Sequence, residues 1–267
     1  MIKMAVPDKI LEYLREKQVV AISEVSEEFN ISEVTAMNYL SRLTSLGLAN
    51  RIGYGKYEYG KSDDSSLIIT PEAQRVIDLV ERFGEENILV WSINMLSNYS
   101  HYAIGNDLLF VETNSGIKQS VRDILLQLNY NVVLDPVRRD FRDYSLSNRD
   151  TIFVISRKEK YGINKDEPII PTAERIWVDL YYYITRKDLT FSSFELGVML
   201  GNMMSSNVLN YDRLLYYSNR RKIRDEIVII LYELIKKTDN ENLFKVLFKG
   251  KNIMSAIDQI LDGALEQ

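Results

Sequence analysis

The first sixty residues constrain the fold more than any other part of the chain, because three short helical patterns are followed by two short strands around a glycine turn. Ile10 and Leu14 place apolar side chains on one face of a first helix. Ser32 is a candidate N-cap for a third helix, and Gly47 stands where that helix should end. A hairpin pattern follows over residues 48–59. This order of elements predicts a winged helix-turn-helix module.

The remaining chain is long enough for a second domain. Apolar strand patterns alternate with helical spacing up to residue 155, which is typical of an α/β sheet, and the pattern after Pro171 is helical. We therefore predict an α+β chain: an N-terminal winged helix-turn-helix domain followed by a mixed α/β domain with a helical C-terminal part. The expected boundaries are 1–61 for the winged helix, 62–69 for a polar linker, and 70–267 for the second domain.

The third helix carries the candidate DNA contacts, because in this geometry it enters the major groove. Val34, Met37, Leu40 and Leu43 recur at three-residue steps and are predicted to face the core, which leaves Ala36 facing outward. The predicted base or phosphate contacts are Ser32, Thr35, Asn38, Tyr39 and Arg42 on the helix, with Arg51 and Lys56 on the wing.

The distribution of charge favours DNA as the partner of this module. The whole chain has a net charge of −5, so any phosphate-binding surface must be local. Residues 34–61 carry four basic groups and one acid, Glu58. The alternative is a winged helix that binds another protein, since residues 1–61 as a whole carry 8 basic and 8 acidic groups.

The composition excludes several kinds of catalytic site. The chain has no cysteine, which removes disulfides, thiolate zinc sites and cysteine nucleophiles, and its one histidine, His101, is expected to be structural. Asp107, Glu112 and Asp135 lie near strand ends and raise the alternative of a metal-dependent nuclease. However, no lysine follows an acidic residue by two positions, as the usual nuclease pattern requires. We predict no catalytic residue, metal ion or cofactor.

A second basic cluster is interleaved with tyrosines near the end of the chain. Its cations are Arg213, Arg220, Arg221, Lys222 and Arg224. This composition suits phosphate contact or an acidic partner surface. The alternative is a solvated helix face whose charges Asp225 and Glu226 offset.

Three segments follow the winged helix in an order that resembles the AbiEi family of antitoxins: residues 90–101, 109–112 and 170–180. In that family a Pro-x-x-Glu-Arg/Lys-x-x-x-Asp stretch opens the helical part of the C-terminal domain. Pro171, Glu174, Arg175 and Asp179 match it here.

The resemblance implies a DNA-binding antitoxin and transcriptional autorepressor. Its winged helix would bind inverted repeats in its own promoter, as a homodimer on double-stranded DNA, and its C-terminal domain would neutralise a nucleotidyltransferase toxin without catalysing a reaction. A targeted nuclease and a ligand-sensing regulator are the alternatives. The absence of a signal peptide and of a long apolar run predicts a cytoplasmic protein.

Overall fold

The computed structural model describes residues 6–60, 67–104, 108–145, 151–156, 161–164, 167–238 and 241–248. The chain divides into two compact units. The first unit comprises the described residues within 1–64, 206–215 and 223–267, and the second comprises those within 65–205 and 216–222. Of the predicted linker, residues 62–66 lie outside the described residues. Ile68, also in the predicted linker, belongs to the second unit, where its amide donates to the Met95 carbonyl at 3.1 Å.

The first unit contains the predicted winged helix. Its elements are α1 (Asp8–Lys17), β1 (Val19–Ala21), α2 (Ile22–Glu28), α3 (Glu33–Ser45), β2 (Ala49–Gly53) and β3 (Lys56–Tyr59). The strands form an antiparallel sheet in the order β1-β3-β2, so β1 joins the wing hairpin. Leu14, Val25, Leu40 and Tyr57 are buried together in its core, which confirms this part of the predicted fold.

The C-terminal helices complete this first unit. They are α9 (Tyr211–Arg220), whose first half belongs to the unit, α10 (Arg224–Lys237) and α11 (Glu241–Phe248). Helix α11 packs against β1, and the Asn242 side chain donates to the Lys17 carbonyl at 2.9 Å. The structure differs here from the predicted division, which placed these helices in the second domain. A sixty-residue module buries little surface alone, and the buried Leu243 and Val246 of α11 add to its apolar core.

The second unit is built on a four-stranded sheet covered by helices. Its elements are α4 (Pro71–Val80), a 3-10 helix (Glu81–Phe83), β4 (Ile88–Ser92), a second 3-10 helix (Ile93–Tyr99), β5 (Leu109–Thr113), α5 (Lys118–Gln127), β6 (Asn131–Leu134), α6 (Arg138–Ser145), β7 (Thr151–Ser156), α7 (Ala173–Lys187) and α8 (Ser193–Ser205). The strand order is β4-β5-β7-β6, with β4 antiparallel to β5 and the other pairs parallel. The predicted α/β sheet followed by helices is confirmed.

The sheet is covered on both faces, as its continuous apolar runs predict. Every residue of β4 and β5 is buried. The Trp91 and Phe110 rings stack with centroids 3.9 Å apart between neighbouring strands. Met199 and Met203 of α8 are fully buried in the core. Within the described residues, no helix combines the length and apolar character that a membrane crossing requires.

Candidate nucleic-acid interface

The buried face of α3 differs from the one that the sequence predicts. Ala36, Leu40 and Leu43 are buried, whereas Val34 is 63% and Met37 42% exposed. The prediction that Val34 and Met37 face inward and Ala36 outward is therefore wrong. Three-residue steps lag an α-helix of 3.6 residues per turn by about 60° each, so a run of three such steps ends on the opposite face. The true core positions alternate steps of four and three.

The surface that α3 presents to solvent is consequently more apolar than predicted. Val34, Met37, Asn38, Ser41 and Ser45 are exposed along it. Of the predicted contacts, Asn38 lies on this face, Arg42 and Thr35 are half-buried at its margin, and Tyr39 packs against the core. A period of 3.6 residues, applied to the sequence, would have predicted that Val34, Met37 and Ser41 are exposed.

Ser32 and Thr35 hold the start of α3. The Ser32 hydroxyl accepts from the Thr35 amide at 3.1 Å, and the two side-chain oxygens are 2.8 Å apart. This confirms Ser32 as the N-cap. Both hydroxyls thus position the helix that would enter the groove, and their direct contact with DNA stays a prediction.

The wing carries one exposed arginine and one exposed aromatic ring. The Arg51 side chain is exposed, its Nε donates to the Gly53 carbonyl at 3.1 Å, and its guanidinium lies 5.9 Å from the centroid of the Tyr54 ring. Tyr54 at the tip of the hairpin is 86% exposed. Arg51 therefore remains placed for phosphate contact, and Tyr54 is a further surface residue that the sequence analysis missed.

Lys56 is held by a carboxylate from the far end of the chain. Its Nζ lies 2.8 Å from Asp212 Oδ1, and Asp212 Oδ2 accepts from the Tyr54 amide at 2.5 Å. A Cβ added to Gly53 would stand 2.7 Å from the same carboxylate, so a larger residue there would displace the Asp212 side chain. We call Gly53, Lys56 and Asp212 the wing clamp. The cation that the sequence places against DNA is thus already paired within the protein.

Glu58, the acid counted against the wing's basic groups, is buried in β3. It is 9% exposed, and burial raises its pKa to about 7. Tyr211 lies near enough that Glu58 adds to the effect of burial in raising the pKa of Tyr211. The carboxyl of Glu58 is therefore partly protonated near neutral pH, and it contributes less negative charge than the sequence count implies.

The second basic cluster is divided between the two units. Arg213 and Arg224 belong to the first unit, while Arg220, Arg221 and Lys222 belong to the second. The Arg221 guanidinium donates to Asp179 at 2.6 Å and lies 4.9 Å from the Tyr182 ring. Arg221 is therefore an internal ion-pair partner, contrary to its predicted role in phosphate or partner contact. Arg213, Arg220 and Lys222 are exposed.

Four charged side chains meet inside the second unit, and we call Glu112, Arg175, Asp179 and Arg221 the ion cluster. Arg175 is 2% exposed, pairs with Glu112, and donates to Asp179 at 3.3 Å. Trp91 Nε1 donates to the other oxygen of Glu112 at 2.9 Å. The two acids and two bases balance, as buried charges must. Arg175 and Asp179 come from the segment that resembles the antitoxins, so in this chain these two residues of the segment are buried inside the second unit.

The two described acids of the nuclease hypothesis, Glu112 and Asp135, have separate partners. Glu112 is enclosed in the ion cluster, and Asp107 lies outside the described residues. Asp135 pairs with Lys118 and accepts from the Ser156 amide at 3.1 Å; these contacts outweigh burial and lower its pKa. Strand β7 lies between β5, which carries Glu112, and β6, which Asp135 directly follows. Across the part of the chain that the structure describes, no three acidic or histidine side chains gather as metal ligands.

These features define a winged-helix regulator that binds DNA and controls transcription. The comparisons agree: residues 7–62 match the DeoR-like helix-turn-helix domain. Residues 35–237, most of the chain, match a family described as of unknown function, DUF6577, and the chain belongs to that family. No curated protein matches the chain. The antitoxin family that the sequence resembles is not among the matches, so the antitoxin role stays a prediction.

Proposed function

We propose that this regulator represses its own promoter and acts as the antitoxin of a nucleotidyltransferase toxin. The observation that carries the DNA part is the exposed face of α3, where Asn38 lies in solvent, Arg42 stands at the margin and Leu40 fixes the opposite face in the core. Inverted repeats would be bound by a homodimer, because a symmetric site presents the same groove to two copies of the helix.

The antitoxin part rests on the order of segments that the chain shares with that family. The ion cluster adds support, because it holds Arg175 and Asp179 of the shared segment in ion pairs and so fixes the start of helix α7 within the second unit. Neutralisation would then proceed by binding and would require no reaction.

Promoter binding is tested with purified full-length protein and labelled DNA from upstream of its own gene. Asn38→Ala combined with Arg42→Ala should weaken binding at least about tenfold, since each groove contact contributes about 1–3 kcal/mol. Arg75→Ala removes one exposed arginine of the second unit and serves as the control. Unchanged affinity in the double variant would contradict the assigned recognition face.

The antitoxin part needs a separate experiment. The protein is coexpressed with the nucleotidyltransferase encoded by the neighbouring reading frame, and growth is followed. We expect rescue by the wild type and equally by the Asn38→Ala/Arg42→Ala variant, which no longer represses. Persistent growth arrest, or a neighbouring gene of another kind, would refute the antitoxin role and leave the DNA-binding role intact.

A further inference from the structure

A cavity of about 370 Å³ lies in the second unit, lined by the 3-10 helix over 93–99, the loop that follows it, and the start of α8. Its wall is largely apolar and includes Ile93, Ile104, Leu108 and Phe191. This volume falls within the range of small-molecule sites, which are mostly apolar with a few placed polar groups. No function described above uses this cavity.

One buried carboxylate stands in the wall. Glu195 is 5% exposed, and its Oε1 accepts from the Ser100 hydroxyl at 2.6 Å and from the His101 amide at 2.6 Å. Its other oxygen, Oε2, is buried without a hydrogen-bond partner. A charged oxygen left in this state is costly, and a donor that reached it would recover that cost. His101 contributes its backbone here, while its side chain is exposed, so the predicted structural role rests on the main chain.

Glu195 carries a negative charge at neutral pH. The hydrogen bond from Ser100, with help from the backbone amides of His101 and Tyr102, outweighs burial and lowers its pKa. Its position in the first turn of α8 also places it near the positive end of the helix dipole. Among the described residues that line the cavity, none is lysine, arginine or histidine. Glu195 is therefore the charged group among the described lining residues, while the exposed His101 side chain, whose charge helps to lower the pKa of Glu195, lies outside that lining.

Three aromatic side chains share the lining with this carboxylate. Phe194 and Tyr102 are 74% and 71% exposed, and Phe191 also belongs to the wall. Aromatic faces attract cations through their quadrupole, and exposed rings at a rim can close over a ligand. An acid combined with several aromatic rings is the chemistry that recognises an organic ammonium group.

We propose that this cavity binds a small organic cation, a protonated primary or secondary amine with an apolar body. The N–H donors would satisfy Glu195 Oε2, and the apolar body would lie against Ile93 and Leu108. Because Oε2 is screened from solvent in the ligand-free protein, entry requires a side-chain shift at the rim, where Phe194 is the most exposed residue. The site is independent of the proposed antitoxin function.

Isothermal titration calorimetry with the full-length protein tests the site, with 2-phenylethylamine as the probe and 2-phenylethanol as its neutral match. We expect saturable binding of the amine, at least about tenfold tighter than the alcohol, because hydrogen bonds to a charged group are the stronger ones. Tetramethylammonium, which offers no N–H, should bind more weakly than the amine.

Two variants assign the binding to this cavity. Glu195→Gln should weaken amine binding at least about tenfold, and Phe194→Ala, at an exposed position that folding does not need, should weaken it a few-fold. Glu81→Gln removes an exposed carboxylate of the same unit and should change nothing. Equal binding of amine and alcohol, amine binding that neither variant weakens, or the lack of saturable amine binding at millimolar concentration would each overturn the proposal.

Discussion

On the wing of the first unit, Arg51 stands in solvent beside Tyr54, whereas inside the second unit Arg175 is 2% exposed between Glu112 and Asp179. The same kind of side chain thus faces solvent in one place and two internal carboxylates in the other. A local count of basic residues cannot separate the two cases. What decides between them is whether an acidic partner from elsewhere in the chain reaches the guanidinium.

The largest expected effect tests this contrast directly. Arg175→Ala leaves Glu112 and Asp179 buried without their shared cation, and we expect a loss of about 3–5 kcal/mol in the free energy of unfolding. Arg51→Ala, at an exposed site, should change it by less than about 0.5 kcal/mol. Urea unfolding followed by circular dichroism measures both. A small loss for Arg175→Ala would mean that the ion cluster is not required for the fold.

Glu58 extends the comparison to an acid that is buried without an ion pair in the first unit. Its pKa is raised from 4.5 to about 7 in the folded state, so the folded protein binds this proton more tightly than the unfolded chain. The contribution of the protonated carboxyl to the free energy of unfolding is therefore full below about pH 4.5. It is lost as pH rises through about 7, by about 3 kcal/mol.

The Glu58→Gln variant isolates this contribution from that of the other titrating groups. We expect the wild type to lose more stability than the variant between pH 5 and pH 8, and we expect the variant to be the more stable of the two at pH 8. Urea unfolding at both pH values gives the difference. Parallel pH profiles for the two proteins would show that Glu58 titrates normally.

The outward face of α3 gives the next effect in size. Met37→Glu places a carboxylate at an exposed position of the proposed recognition face, so promoter affinity should fall at least about tenfold through repulsion of phosphates. Its melting temperature should stay near that of the wild type. Tyr39→Glu, which puts a charge against the core, should lower the melting temperature instead. Promoter binding that survives Met37→Glu would place the DNA contact on another face.

The smallest effect concerns the wing clamp. Asp212→Asn removes the charge that neutralises Lys56, so Lys56 gains freedom to contact phosphate. We expect promoter affinity to rise a few-fold and the salt dependence to steepen by about one unit of slope, as one more phosphate contact would give. A titration series over salt concentration measures this slope. If affinity falls instead, the clamp matters more for holding the wing in shape than for masking its cation.

Local signals predicted much of this fold. Ser32 before α3 and Gly47 after it mark helix ends that the structure confirms, because caps depend on neighbouring residues alone. The buried strands β4 and β5 could also be predicted from the sequence, since each is a largely apolar run.

The sequence could not show contacts between distant parts of the chain. Asp212 reaches Lys56 across more than 150 positions, and Arg221 reaches Asp179 from a cluster that looked solvated. The error on α3 has a different origin, because Val34 and Met37 are apolar yet exposed, as residues of a binding surface often are. Of the predicted site, Asn38 and Arg51 are exposed as expected, but the prediction left out the exposed apolar residues of the same helix face.

The wing clamp also joins residues that lie far apart in the sequence. Asp212 and Asn242 follow the residues of the winged helix that they contact by more than 150 positions. A fragment cut between the winged helix and Asp212 would therefore carry α3 and a wing whose Lys56 has lost its carboxylate. Such a fragment should contact phosphate through Lys56 as Asp212→Asn does, so proteolysis within the chain would steepen the salt dependence of operator binding.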